Sequence, residues 1–392
     1  MRYLIINCYS PLNLGDLAIL EQTLWLVEQV DPQAEFDVCI SDDAWLPDLP
    51  SVRWVRNWNF LLKQSSDPAH LAHALRQAHL RADLILSLGG GYFFVHDHRP
   101  VPIWATLALA YALRQRKPVL CLPQSFGPFR HAYQARLVAW LMAHCNQVLL
   151  RDAESLEMFT RYAPSACRAQ FVPDTAFTLG LRWPCKTNPL NDPPRIGATL
   201  VDWSPVDPRL RVVQARYEQQ MADLFSHAIT TLGAEVTLFV QCQSKRRDFE
   251  SDLAISQRVQ AQMRQTLPPE LADRVRIVDD LRRPEQALVA YSRMNAFIAT
   301  RLHSVIFAAS QGVPTLAIGY QPKSQAAMRL LGQAEYGLEM QDISAIDLHT
   351  LFGRLWQTRG EIGPRIAQAA QDLGRATSTA IHALIATYYR SR

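Results

Sequence analysis

The feature that most constrains this chain is an alternation. Short apolar runs with strand character recur along it, separated by longer stretches of helical periodicity, and the pattern restarts after a proline-dense segment. Such alternation specifies βαβ units and parallel sheets. In the first half, strands are expected at residues 3–7, 35–40, 52–56, 84–88, 119–122, 147–150 and 169–172, with amphipathic helical stretches at 18–30, 102–116 and 133–144. Residues 183–194 carry Pro184, Pro189, Pro193 and Pro194, which deny helix and central strand alike. Strands then resume at 196–201, 236–241, 275–278, 297–300 and 315–318, with a helix from about 213 to 232 and an alanine-rich one over 366–389. The expected class is α/β: a Rossmann-like domain over 1–182, a linker over 183–194, and a second Rossmann-like domain with terminal helices over 195–392. Two such domains are expected to face a cleft.

A length of 392 residues suits two domains, and 48% apolar with 19% charged residues is globular composition. The net charge of +4 does not call for a nucleic-acid partner. The longest apolar run, from Val101 to Leu113, falls short of the ~20 residues of a membrane span. The opening, Met1 to Asn7, reads as a strand rather than a signal peptide, and the seven cysteines show no Cys-x-x-Cys spacing. A cytoplasmic protein with reduced, mostly packed thiols is the expectation. Peripheral association with the inner face of a membrane stays open, with no basic amphipathic helix singled out for it. A homo-oligomer stays open too.

Open parallel sheets bind ligands at the carboxyl ends of their strands, so polar residues just after each strand matter most. Asn13-Leu14-Gly15-Asp16 follows the first strand; Asp16 can cap the next helix or contact a substrate hydroxyl. Gly89-Gly90-Gly91 follows the strand at 84–88 and can let a ligand reach the backbone, with Gly90 and Gly91 as contacts. The run is not Gly-x-Gly-x-x-Gly, so a dinucleotide role is set aside. His96-Asp97-His98 is taken as a solvated or substrate-facing loop rather than a metal site. Arg151 ends an apolar strand, where its fork suits a carboxylate or phosphate, or else an ion pair with Asp152 or Glu154. The richest stretch is Arg301-Leu302-His303-Ser304, followed after the next strand by Tyr320-Gln321-Pro322-Lys323. Arg301, His303 and Lys323 converge at neighbouring strand ends beside a helix N-terminus, a cationic setting for an anionic substrate, with Ser304 as a further contact.

With Pro123–Pro128, Pro173-Asp174-Thr175 and Gly312-Val313-Pro314, these segments resemble the polysaccharide pyruvyl transferase family, in its order and through most of the chain. The resemblance departs at residues 92–98, where the family often carries a Leu-Leu-Gln-Asp type of sequence. It implies a GT-B-like fold, phosphoenolpyruvate as donor, and a sugar acceptor, free or lipid-linked, that receives a pyruvate ketal. It also implies donor-binding roles for Arg151 and Arg301, a catalytic role for His303, and a donor-side cation in Lys323. The chemistry requires no metal and no redox cofactor. Asp16 and Asp174 are candidate bases for the acceptor. Two rival readings are a GT-B glycosyltransferase using a nucleotide sugar and a non-catalytic accessory protein of a glycan-assembly complex.

Overall fold

A computed structural model describes residues 1–57, 67–95, 102–184, 193–204, 211–243, 252–319, 322–343 and 346–390. Internal contacts divide the chain into two units. The first comprises Met1–Pro11, Asp16–Thr175 and Arg375–Arg392; the second comprises Leu12–Gly15 and Ala176–Gly374. The change of unit falls between Thr175 and Ala176, ahead of the proline-dense segment, of which residues 185–192 lie outside the described ones. The chain returns to the first unit at Arg375, inside the long final helix.

The first unit is built on eight strands: β1 (Arg2–Cys8), β2 (Glu35–Ile40), β3 (Val52–Arg56), β4 (Leu84–Ser87), β5 (Gly90–Phe93), β6 (Val119–Phe126), β7 (Gln147–Leu150) and β8 (Ala169–Phe171). All pair in parallel in the order β3-β2-β1-β4-β6-β7-β8, with β5 beside β6. Parallel strands must be covered on both faces, and β1 and β6 accordingly read as buried apolar runs. The helices are α1 (Leu14–Glu28), α2 (Pro68–Arg81), α3 (Ile103–Arg114), α4 (Ala132–Met142) and α5 (Ala153–Tyr162). One core cluster joins Leu75 and Ala78 of α2, Leu109 and Ala112 of α3, Val138 and Met142 of α4, and Phe159 of α5 to Ile6, Ile85, Val119 and Val148.

The glycine run departs from the expected loop, because Gly90–Phe93 folds as β5. A Cβ on Gly89 would lie 2.7 Å from the Pro123 carbonyl oxygen, so the missing side chain lets backbone meet backbone. Correspondingly β6 runs on through Pro123 to Phe126, with a register shift against β7 between Cys121 and Gln124. A proline inside a parallel sheet is tolerated at such an irregularity.

In the second unit six parallel strands run β9 (Arg195–Thr199), β10 (Glu235–Phe239), β11 (Val275–Val278), β12 (Ala296–Ala299), β13 (Thr315–Gly319) and β14 (Gly337–Glu339). Their order is β11-β10-β9-β12-β13-β14, so the winding reverses between β9 and β12. The helices are α6 (Leu179–Arg182), α7 (Arg211–Leu232), α8 (Asp252–Thr266), α9 (Pro284–Tyr291), α10 (Leu302–Ser310), α11 (Pro322–Leu330), α12 (Leu348–Gln357) and α13 (Arg359–Arg390), the last shared with the first unit. Tyr291, Phe239 and Phe297 stack in its core with centroids 4.3 to 6.0 Å apart. Gly197 makes room for them, since a Cβ there would lie 2.6 Å from the Phe297 ring.

Candidate active site

The reversal between β9 and β12 is the topological switch point of the second unit, where crevices open beyond strand ends. Buried hydroxyls fasten its carboxyl edge. Thr300 Oγ1 donates to the Thr199 carbonyl at 2.5 Å, Tyr217 reaches Thr300 at 2.7 Å, and Thr199 donates to Ser304 Oγ at 2.8 Å. Ser304 in turn donates to Gln241 Oε1, which also receives the Tyr291 hydroxyl at 3.4 Å. Burial pushes the Tyr217 and Tyr291 phenols up, keeping both as neutral donors. Ser304 is completely buried within this network, so its hydroxyl presents no surface to a substrate and serves to position the start of α10.

Arg301 is the N-cap residue of α10 and is itself buried. Its Nε donates to Asp252 Oδ2 at 2.8 Å and its Nη2 to Oδ1, a bidentate pair. The Asp252 carboxylate also accepts the backbone N–H groups of Gln241 and Cys242, at 3.1 and 2.9 Å. Desolvation pushes the Asp252 carboxyl up, with Arg301 and the two amides opposing it.

His303, half-buried in the first turn of α10, lies against the loop Leu12–Gly15. A Cβ built on Gly15 would fall 2.0 Å from His303 Nδ1, so only glycine leaves room for the ring. The loop is held to the end of β10: Leu14 N–H donates to the Gln241 carbonyl at 3.1 Å, and Gln243 N–H to the Leu12 carbonyl at 2.9 Å. Two segments nearly three hundred residues apart in the sequence thus meet in one unit. Lys323 stands in the first turn of α11, beyond the adjacent strand β13, and is half-buried; Tyr320 and Gln321 lie outside the described residues.

In the first unit the switch point lies between β1 and β4. Asn7, with a left-handed φ of 63°, donates to Ser87 Oγ at 3.1 Å, and Gln124 donates to the same oxygen at 2.8 Å. Arg151 is buried, with Nη1 2.6 Å from Asp174 Oδ2 and Nε 2.8 Å from Ser125 Oγ. Its ion-pair partner is therefore Asp174, not the neighbouring Asp152 or Glu154. Asp152 instead caps α5, accepting Ser155 N–H at 2.7 Å.

Asp16 does not cap α1 either. The helix begins at Leu14, Asn13 Oδ1 accepts Gly15 N–H, and Asp16 lies within the first turn. The Tyr92 hydroxyl approaches Asp16 at 3.5 Å; burial first and Asp16 second push that phenol up, so it stays protonated. Gly90 is buried, with φ 140°, and Gly91 is half-buried. The loop His96-Asp97-His98 lies outside the described residues.

Asp252, Gln241, Asn7, Ser87 and Tyr92 carry much of this geometry and were not among the candidates. A lone aspartate opening a helix gives no local sign that its partner is an arginine 49 residues on.

Comparison with solved structures defines the class. Sucrose-phosphate synthase of Thermosynechococcus elongatus superposes with a TM-score of 0.60 at 14% identity, over 100% of this chain and 98% of that one. HepE of Anabaena, solved with UDP and glucose, gives 0.55 at 14% identity over 100% of both chains. At such identity the likeness shows the fold alone: two Rossmann-like domains of the GT-B type. The model of the polysaccharide pyruvyl transferase family matches residues 13–322, and the chain belongs to that family of transferases. The amylovoran biosynthesis protein AmsJ of Erwinia amylovora is 25% identical over 300 residues, covering 74% of this chain and 69% of AmsJ.

Proposed function

We propose that this chain moves the enolpyruvyl unit of phosphoenolpyruvate onto a pair of sugar hydroxyls, forming a pyruvate ketal and releasing phosphate. Family membership supports the pyruvyl group and the polysaccharide context, and AmsJ adds a relative named for amylovoran biosynthesis. The observation that carries the reading is the seat of His303, set at the switch point of the second unit against the glycine of the Leu12–Gly15 loop.

Protonation of the donor methylene makes the adjacent carbon electrophilic. One acceptor hydroxyl adds there, giving up its proton, and the carbon–oxygen bond to phosphate then breaks. A second hydroxyl closes the ketal, and its proton leaves with the phosphate. The first step needs a general acid, the role assigned to His303. Lys323 and the N-terminus of α10 are assigned to the anionic groups of the donor. Arg301, paired with Asp252 at the start of α10, is assigned to the donor as well. Arg151, buried against Asp174 and Ser125, is kept as a further anion contact. Asp16, beside Tyr92, is the proposed base for the acceptor.

The test is phosphate release from phosphoenolpyruvate with a panel of sugar acceptors, with mass spectrometry of the product. Acceptor-dependent phosphate and an acid-labile ketal are expected. Turnover of a nucleotide sugar, with none of phosphoenolpyruvate, would replace this reading by glycosyl transfer. Donor binding with no turnover on any acceptor would point to an accessory role.

A further inference from the structure

The first unit carries a face that the chemistry above does not use. Helices α3 and α4 pack side by side and bury their inner faces in one core cluster. Their outer faces are not polar. Ile103 and Leu107, one turn apart on α3, are 39% and 46% exposed; Tyr133, Leu137 and Trp140, spaced i, i+4, i+7 on α4, are 54%, 46% and 53% exposed. These are five of the nine large apolar side chains most exposed among the described residues, gathered on two adjacent helices. Isolated surface leucines need no explanation, but a stripe with this helical spacing does.

Along α3, α4 and the segment that joins them the charge has one sign; the exposed carboxylates Glu154 and Glu157 stand on the next helix, α5, which packs on α4. From His98 to Arg151 the sequence contains no aspartate or glutamate, although the whole chain has 36. Over the same stretch it carries Arg99, Arg114, Arg116, Lys117, Arg130, Arg136 and Arg151, of which Arg114 closes α3 and Arg136 stands exposed on α4. Helix α2, which joins the same core cluster, also carries Arg76 and Arg81 and no carboxylate. Tyrosine and tryptophan prefer the headgroup level of a bilayer, where an apolar body and a polar tip are both satisfied, and arginines beside them meet anionic headgroups. A protein partner of ordinary composition would be expected to meet carboxylates as well as bases on the contacting helices themselves, and α3 and α4 carry none.

We propose that the α3–α4 face docks on an anionic lipid surface. The apolar stripe enters the interface while Arg114 and Arg136 pair with headgroup phosphates. Attachment is peripheral, since no helix among the described residues is long and apolar enough to cross a membrane. The inference does not depend on what the donor or acceptor is.

The experiment is co-sedimentation of the full chain with vesicles of phosphatidylcholine alone and with one-quarter phosphatidylglycerol. Wild type is expected to pellet with the anionic vesicles and to leave them as salt rises. L137E/W140E should abolish binding, and R114Q and R136Q should each weaken it by about fivefold, the loss of one headgroup contact. W140F should keep most of the binding, and circular dichroism should show every variant folded. No partition into anionic vesicles at low salt, or equal binding by L137E/W140E, overturns the proposal. So does a wild-type dimer in light scattering that L137E/W140E converts to monomer, because the face would then be covered by a second copy.

Discussion

Each unit places an arginine just past the end of a strand and buries a carboxylate against it, yet the two pairs are wired differently. In the first unit Arg151 gives one N–H to Asp174 and one to Ser125. Asp174 lies shortly after the neighbouring strand β8, so the pair ties adjacent strand ends of one sheet edge. In the second unit Arg301 grips Asp252 with both prongs of its fork, and the same carboxylate takes two backbone N–H groups at the end of β10. That strand end holds the Leu12–Gly15 loop, and the loop backs His303. The first pair is a local clasp. The second is a junction through which helix α10, strand β10 and the loop behind the imidazole share one set of bonds.

The sharpest break in this comparison is His303→Ala. Acceptor-dependent phosphate release should fall by about 10²–10⁴-fold, the usual reach of general acid catalysis, while donor binding in titration calorimetry persists. Near-normal turnover would remove the acid role and with it the reason for the junction.

Gly15→Ala probes the same seat from behind. A methyl 2.0 Å from Nδ1 must push the ring aside, and misplacement by about 1 Å costs about 10²-fold in turnover. Donor affinity should change much less. A variant with unchanged kcat would mean that the position of the ring does not matter to the chemistry.

Asp252→Ala and Asp174→Ala each remove the carboxylate paired with a buried arginine and should each cost about 3–5 kcal/mol in urea unfolding. The comparison predicts a difference beyond that. Only Asp252→Ala should speed hydrogen exchange at the Leu14 and Gln243 amides, which depend on the end of β10. Equal protection in both variants would reduce the Arg301 pair to a second clasp.

The smallest effect is on acid stability. His79 is buried in α2, with Nδ1 2.8 Å from the Leu75 carbonyl and its ring edge-on to Tyr111, and desolvation lowers its pKa from the ordinary 6.5. The unfolded chain therefore binds the proton more readily than the folded one. The contribution is fully present above pH 6.5 and is lost as pH falls through the lowered value. Stability measured across that window should decline on acidification in wild type and decline less in His79→Gln.

Much of this was legible beforehand, because its causes are local. Strands 35–40, 52–56, 147–150 and 275–278 appear with the expected bounds, since apolar runs between turn residues carry their own signal. Strand β5 was not legible: three glycines in Gly89–Gly91 read as an open loop until the Pro123 carbonyl is placed beside Gly89. Strand β14 is three residues long, too short to show a period. The basic, apolar face of α3 and α4 is not legible in the sequence either. A stripe of Tyr133, Leu137 and Trp140 looks like any core-facing stripe until burial shows which side of the helix the core occupies.

The sequence by itself determined the α/β class, the strand-end segments worth examining, and the family they resemble. Periodicity, turn chemistry and motif order are written along the chain and need no partner to be read. Only the tertiary structure decided that Arg301 answers to Asp252, that Arg151 answers to Asp174 rather than its neighbours, and that Gly15 is a glycine because His303 lies upon it. Those are contacts between residues far apart in the chain, and ion pairing and close packing depend on distance in space, which no local pattern encodes.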